Sequence, residues 1–421
     1  MSHLLEDFKK FLDHSPTSWH AAQEIGNRLA AVDFTPLEEG EKWNLEPGKR
    51  YFVQRDGFVC AFTLPKTLPK KIVILASHTD SPALKLKPRP EIQKDNMTLF
   101  ETEVYGSPIL SSWFNRDLAL AGRVLFKTPS NTIEEKLIWL DQYPLFIPQL
   151  ALHLDKEAQE KGLVIDKQEH LKPIFTLNSD QKNILEELIK KQLGVSTLFS
   201  FDLLLVPMEE ARFVGLQGEM ISSYRLDNLA SAHACCAALA SATLGDTLQM
   251  ALFWDHEEIG SNTVDGAESP ALADILKRIS IGISLPEEEM IRLKNFSLCV
   301  SVDVAHAFNP NFSAKYDPEH KCLLGKGIAL KYNANRKYAT DAKTAAIIHH
   351  VCEQEKIPCQ SFTSHSNISS GSTVGPIVAQ NLGIPTVDIG CPILSMHSAR
   401  EVMAAQDHLD MCKLLTRLLQ S

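Results

Sequence analysis

Ala251-Leu252-Phe253-Trp254-Asp255-His256-Glu257-Glu258-Ile259-Gly260 decides how the chain is read, because an apolar run opens without transition into adjacent carboxylates. The pattern predicts a buried strand that ends at a polar site. Strands of a parallel sheet covered on both faces are nearly continuously apolar, and ligands of open α/β sheets sit beyond the carboxyl ends of the strands. Glu257 and Glu258 therefore fall where chemistry is done. Two neighbouring carboxylates repel, so a cation, a shared proton or strong hydrogen bonds must compensate them. A divalent metal is one such compensation, and a solvated acidic turn is what an isolated Glu-Glu pair would otherwise suggest.

The same theme recurs along the chain. Lys71-Ile72-Val73-Ile74-Leu75-Ala76-Ser77 runs into His78-Thr79-Asp80, Ser297 to Val302 runs into Asp303 and His306, and the apolar segment Ile384 to Ile389 precedes a loop carrying His397. Asp227 stands at the entrance of an Ala-rich helical segment, where capping the helix is the ordinary use of an Asp. Asp80 suits the carboxylate that fixes the tautomer of a metal-bound imidazole at His78. If these strands share one doubly wound sheet, His78, Asp227, Glu257, Glu258, Asp303 and His397 converge. Nitrogen and oxygen ligands without a thiolate point to zinc, cobalt or manganese. Five ligands exceed what one catalytic zinc takes and suit two ions ~3.5–4 Å apart around a bridging carboxylate. An unligated carboxylate beside them then serves as base towards the attacking water.

Around this core, 421 residues suffice for two or three domains at ~150 residues each. Apolar periodicity predicts helices over Leu4 to Leu12, over Trp19 to Leu29 with Ser18 as cap, over Asp341 to Glu355, and from Arg400 to Leu419. Between about Leu84 and Gly218 the texture changes to short alternating segments broken by Pro, Asn and Gly. This predicts a β-rich domain, 85–218, inserted into an α/β domain formed by 1–84 and 219–421. His153 lies in it within the apolar run Ile147 to Leu154, where a structural role is the default. A net charge of -10, from 42 Lys and Arg against 52 Asp and Glu, excludes a general nucleic-acid or anionic-membrane binder. No run approaches the ~18 apolar residues of a membrane span, and the N-terminus lacks signal-peptide architecture, so a cytoplasmic protein is expected. Nine scattered cysteines without a C-x-x-C pair read as reduced core thiols.

Five segments, Ser77-His78-Thr79-Asp80-Ser81-Pro82, Arg225-Leu226-Asp227-Asn228, Asp255-His256-Glu257-Glu258-Ile259-Gly260, Ser301-Val302-Asp303-Val304-Ala305-His306-Ala307 and Met396-His397-Ser398-Ala399-Arg400-Glu401, together resemble the aspartyl aminopeptidase family of dinuclear zinc exopeptidases. They occur in the family's order and span nearly the whole chain. The resemblance implies a zinc-exopeptidase-like α/β/α catalytic domain interrupted by a β-rich dimerisation domain. It also implies a homo-oligomer, a tetrahedral dodecamer, acting as a metallo-aminopeptidase on peptides with Asp or Glu at the N-terminus. Position by position, it makes Asp227 the bridge between two Zn2+, with Co2+ or Mn2+ as alternatives. One ion receives His78 and Asp303, the other Glu258 and His397; Glu257 becomes the general base and Asp80 stands behind His78. His153 corresponds to a histidine that reaches a neighbouring subunit's active site. His306, Lys331 and Tyr338 correspond to substrate-pocket positions, where a fixed ammonium would pair with an acidic N-terminal side chain. Two positions depart from the family pattern: Asn367 where an acidic residue is expected nearby, which bears on the pocket's charge, and Ser398-Ala399 for Ser-Ile. A deacylase, carboxypeptidase or neutral-residue aminopeptidase on the same core is the enzymatic alternative, and a scaffold without chemistry the other.

Overall fold

The structure, a computed structural model, describes residues 3–177 and 181–420. Its contacts divide the chain into two units, one formed by 1–80, 211–396 and 401–421, the other by 81–210 and the short segment His397–Arg400. The boundaries expected from sequence, 85 and 218, fall later in the chain than 81 and 210, and the separate assignment of His397–Arg400 has no counterpart in the sequence reading.

The first unit is built on a nine-stranded sheet in the order Phe34–Pro36, Arg50–Arg55, Phe58–Thr63, Thr247–Trp254, Lys71–His78, Leu298–Val302, Thr386–Gly390, Ile328–Lys331 and Cys359–Phe362. Thr247–Trp254, Lys71–His78, Leu298–Val302 and Thr386–Gly390 are mutually parallel, so their carboxyl ends share one edge. All residues of Thr247–Trp254 are buried, as a strand covered on both faces requires. The two-residue alternation of strand side chains then sorts the core. Val73, Leu75, Ala251 and Phe253 join the apolar layer of the helices His3–Asp13, Ser18–Ala30, Leu226–Ser241 and Ala405–Gln420. Ile72, Ile74, Leu252 and Trp254 pack on the opposite side with Ala271–Gly282, Glu287–Lys294 and Val374–Leu382. Each fully buried Leu, Ile or Phe contributes about 1.5–3 kcal/mol, which makes these two layers the main source of cohesion.

Several local expectations are corrected. The second helix is capped by Thr17, whose hydroxyl accepts from the His20 amide, and Ser18 is its first residue. The final helix begins at Ala405, because Glu401–Ala404 is a strand paired with Met220–Ser223 and with Pro392–Leu394. These three strands, with Arg212–Val214 and Ala305–His306, form a five-stranded sheet that the apolar pattern does not announce. Helix Glu287–Lys294 also escaped the sequence reading, being short and strongly acidic in its first turn.

The second unit holds a seven-stranded sheet in the order Leu198–Pro207, Ala83–Lys94, Met97–Tyr105, Ile174–Thr176, Leu145–Phe146, Asp117–Lys127, Ile133–Trp139. An additional pairing of Leu198–Pro207 with Asp117–Lys127 closes six of these strands into a ring, which removes most exposed edges. Pro88 and Pro90 sit where the pairing of Ala83–Lys94 shifts register between Leu86 and Glu91, a position that tolerates their missing N–H. Gly122 is required where it stands. Its φ is +154°, and a Cβ there would lie 2.0 Å from the Asp202 carbonyl oxygen on the paired strand.

All nine cysteines are unpaired and all but the half-buried Cys359 are buried. Among the described residues no helix is long and apolar enough to cross a membrane.

His20 supplies a test of the N-terminal packing. Burial first, and then the Arg225 charge, lower its pKa to about 4. A histidine whose folded pKa lies below its unfolded value adds stability above that value and loses it as the pH falls from 6.5 towards 4. The urea midpoint is expected to drop more steeply over this window in the parent than in His20→Gln. Parallel pH profiles would remove His20 from the acid response.

Candidate active site

His78 closes the strand Lys71–His78, and Asp303 directly follows Leu298–Val302. Trp254 pairs with His78 across the sheet, and the chain then turns through His256, at φ 63°, into the single turn Glu257–Ile259. Asp227 stands near the start of Leu226–Ser241 but does not cap it. Its φ/ψ of -81/105° and those of Asn228, -120/26°, are non-helical, and the peptide between them is cis. His78 Nε2 lies 3.4 Å from Asp227 Oδ1, 3.7 Å from Asp303 Oδ1 and 4.0 Å from Glu257 Oε2. His78, Asp227 and Asp303 each offer a ligand atom within 4.8 Å of the others, and so do His78, Glu257 and Glu258. Donors sharing a tetrahedral ion with bonds of ~2.0–2.1 Å lie roughly 3.3 Å apart, so the donor set fits a divalent metal in both chemistry and spacing.

Hydrogen bonds from the surrounding chain hold these groups in place. Asp80 accepts the Glu257 amide on Oδ1 at 3.0 Å and the Glu258 amide on Oδ2 at 3.1 Å. His78 Nδ1 faces the Asp80 carbonyl at 3.1 Å and its Oδ1 at 3.4 Å. One aspartate thus orients the imidazole and the acidic turn together, which is more than the sequence reading asked of it. Asn228 donates from Nδ2 to the Val302 carbonyl at 2.9 Å and accepts the Val304 amide on Oδ1 at 3.4 Å, bracketing Asp303 from both sides. The Asp227 amide donates to Glu401 Oε2 at 2.9 Å. Asn228 and Glu401 were missed as functional residues. Their signal is a buried polar side chain adjoining a ligand candidate or closing the His397 segment.

Electrostatics explains why such a cluster is costly without a cation. Two like charges 4 Å apart repel by about 4 kcal/mol at an effective dielectric of ~20. Burial first, and then Asp303, Asp80 and Asp227 against the opposing His78, push Glu257 up to about 8. Glu258 is raised well above the usual carboxylate range by burial and then by Asp227. Burial opposes charge on His78, yet hydrogen bonds to Asp227, Asp303 and Asp80 outweigh it and hold the imidazole well above its ordinary value. The chain alone therefore retains protons here that a bound cation would displace.

The remaining predicted positions have surroundings of their own. Lys331 is buried, its Nζ 3.3 Å from Asp303 Oδ2 and 5.3 Å from the centroid of the buried Tyr338 ring. The ammonium assigned to substrate thus already has an intramolecular carboxylate. His306 is exposed, its ring 6.3 Å from that of Phe362. Asn367 is exposed and donates its amide to His365 Nδ1. His397 belongs to the second unit, where its Nδ1 bonds the Ser107 carbonyl at 3.0 Å. His153, also in that unit, is exposed along with Leu150, Leu152 and Leu154, while Ile147 at the head of the same run is buried.

Residues 11–418 match the sequence model of a family described as aminopeptidase I zinc metalloprotease, M18. A probable M18 family aminopeptidase 2 of Pseudomonas fluorescens is 38% identical over 416 residues, covering 96% of this chain and 95% of its own. Among solved structures, a chain from the cryo-EM structure of the Ape4 and Nbr1 complex is 32% identical with a TM-score of 0.93, over 99% of this chain and 85% of that one. A chain of the S. cerevisiae mApe1 dodecamer is 25% identical with a TM-score of 0.86, over 98% and 95%.

The Asn228 bracket predicts a loss of metal without a loss of fold. Asn228→Ala should weaken zinc binding 10–100-fold, the usual effect of removing a group that orients a ligand, with the circular dichroism spectrum kept. Zinc affinity equal to the parent's would show that the bracket does not position Asp303.

Proposed function

The chain belongs to the M18 family of zinc metallo-aminopeptidases, and on that premise we propose that its active site holds two zinc ions and that it removes acidic residues preferentially from peptide N-termini. The observation that supports a metal centre most directly is the gathering of His78, Asp227, Asp303, Glu257 and Glu258 at the carboxyl edge of one sheet.

In this reading Asp227 would be shared by both ions, His78 and Asp303 would hold one, and Glu258 and His397 would hold the other. The bond from His397 Nδ1 to the Ser107 carbonyl leaves Nε2 as its coordinating atom. When bound, the pair of ions supplies Lewis-acid polarisation of the scissile carbonyl and lowers the pKa of water. Glu257 takes the proton of the attacking water and returns it to the departing amine. Asp80 keeps Glu257, Glu258 and His78 in register for that transfer. Lys331 divides its ammonium between Asp303 and the carboxylate of an acidic N-terminal residue, with the Tyr338 ring beside it and His306 as a further donor.

The unit spanning 81–210 is assigned to oligomerisation and the remainder to catalysis. Support for a homo-oligomer comes from the likeness to the S. cerevisiae mApe1 dodecamer and from the exposed Leu150, Leu152 and Leu154 around His153. We extend the dodecamer to this chain and give His153 a role in a neighbouring subunit's site. Nine unpaired cysteines fit the reducing cytoplasm.

Glu257→Gln should keep its zinc and lose at least ~10² in rate, the lower range for a general acid/base group. Turnover equal to the parent's in the zinc-loaded variant would exclude Glu257 as base. Aspartyl and glutamyl peptides should be cleaved faster than leucyl ones, and N-acetylated peptides should survive. Equal rates on leucyl peptides would remove the acidic preference, and cleavage of blocked peptides would favour a deacylase or carboxypeptidase.

A further inference from the structure

Two imidazoles and a thiol meet inside the helical layer, and none of them belongs to the ligand set above. His408 and Cys412 lie one turn apart on Ala405–Gln420, and His233 approaches from Leu226–Ser241. His233 Nδ1 is 2.9 Å from His408 Nε2, Cys412 Sγ is 3.7 Å from the same nitrogen, and all three donor atoms lie within 4.8 Å of one another. Exposure is 1%, 0% and 6% for His233, His408 and Cys412. The far nitrogen of His233 bonds Asp7 Oδ2 at 3.0 Å, and Arg28 Nη1 holds that same oxygen at 2.7 Å. Phe8 stacks on the His408 ring with centroids 3.8 Å apart.

We infer that His233, His408 and Cys412 form a separate metal site for a soft monovalent ion, Cu(I). A carboxylate on the outer nitrogen of His233 is the arrangement that orients a metal-bound imidazole. The sulfur-to-nitrogen separation already suits two ligands of one ion with bonds of ~2.0–2.3 Å, while the two imidazoles must part by about half an ångström, giving up their mutual hydrogen bond. Among the described residues the donor group here is His233, His408 and Cys412 alone, three ligands in an aromatic surround, with Asp7 engaged by His233 and Arg28. That disfavours zinc, whose structural sites are almost always four-coordinate, and thiolate ligation selects Cu(I). Charge agrees, since Cu(I) with one thiolate is neutral whereas Zn2+ would bury a net positive charge. Binding forms the Cu–S bond and releases the thiol proton to solvent, and the His408 proton shifts from Nε2 to Nδ1, with no change of oxidation state. His408 Nδ1 has no hydrogen-bond partner among the described residues, which sets a cost against the shift.

The test uses the full chain prepared in two ways: produced in copper-supplemented cells, and purified with zinc and then incubated with Cu(I) supplied as its bicinchoninate complex. One copper per chain is expected in at least one preparation, with X-ray absorption showing one sulfur and two nitrogen neighbours. The sulfur neighbour separates this site from the catalytic one, whose proposed ligands contain none. Cys412→Ser and His408→Gln should each lower copper uptake at least tenfold, while Cys352→Ser retains it, with peptidase activity kept in all three as proof of folding. Should either site variant misfold, the coordination shell of the parent protein decides alone. No copper in either preparation, a shell of nitrogen and oxygen only, or undiminished uptake by a folded Cys412→Ser protein would each overturn the inference.

Discussion

Packing Asp227, Glu257, Glu258 and Asp303 around one buried imidazole is the constraint from which the rest of the first unit follows. Like charges at these separations repel by several kcal/mol in a medium of intermediate polarity, a substantial share of a domain's marginal stability. Such an arrangement persists where protons or cations neutralise it. The upward shifts of Glu257 and Glu258 describe the protonated alternative, and the zinc chemistry of the M18 family describes the cationic one.

The fold places this cluster by joining rigid elements to short tethers. Parallel strands bring His78, Asp303 and the Glu257–Ile259 turn to one edge because each leaves a fully covered strand at its carboxyl end. Strand geometry alone sets positions only coarsely. Asp80 fixes the acidic turn against His78, and Asn228 ties the start of a helix to the two peptides flanking Asp303. Distances within the cluster are therefore defined by hydrogen bonds between loops that are remote in sequence. Loop conformation at a strand's end is where catalytic precision is concentrated.

Much of this was legible in the chain. Strands buried on both faces announce themselves as continuous apolar runs, and the polar residues at their ends, His78, Glu257, Glu258 and Asp303, stand out against them. The change of texture at 85–218 likewise reflects strands that alternate between an apolar and a polar face. What remained hidden has physical causes. Glu401–Ala404 is too short to establish a two-residue period, so its residues merge by pattern with the helix that follows. The double role of Asp80 and the Asn228 bracket depend on long-range contacts that no local pattern encodes. The resemblance gives Lys331 to substrate, whereas its ammonium also meets Asp303, because Ile328–Lys331 and Leu298–Val302 flank the same strand, Thr386–Gly390. His153 lies in an apolar run that is only partly core: Ile147 is buried, whereas Leu150, Leu152 and Leu154 are exposed.

The account turns on Asp227 lying between two cations. Anomalous diffraction at the zinc absorption edge, from crystals of the zinc-loaded protein, addresses this most directly. Two peaks per chain about 3.5–4 Å apart, with the Asp227 carboxylate reaching both, are predicted. A single peak, or peaks remote from Asp227, would contradict the account.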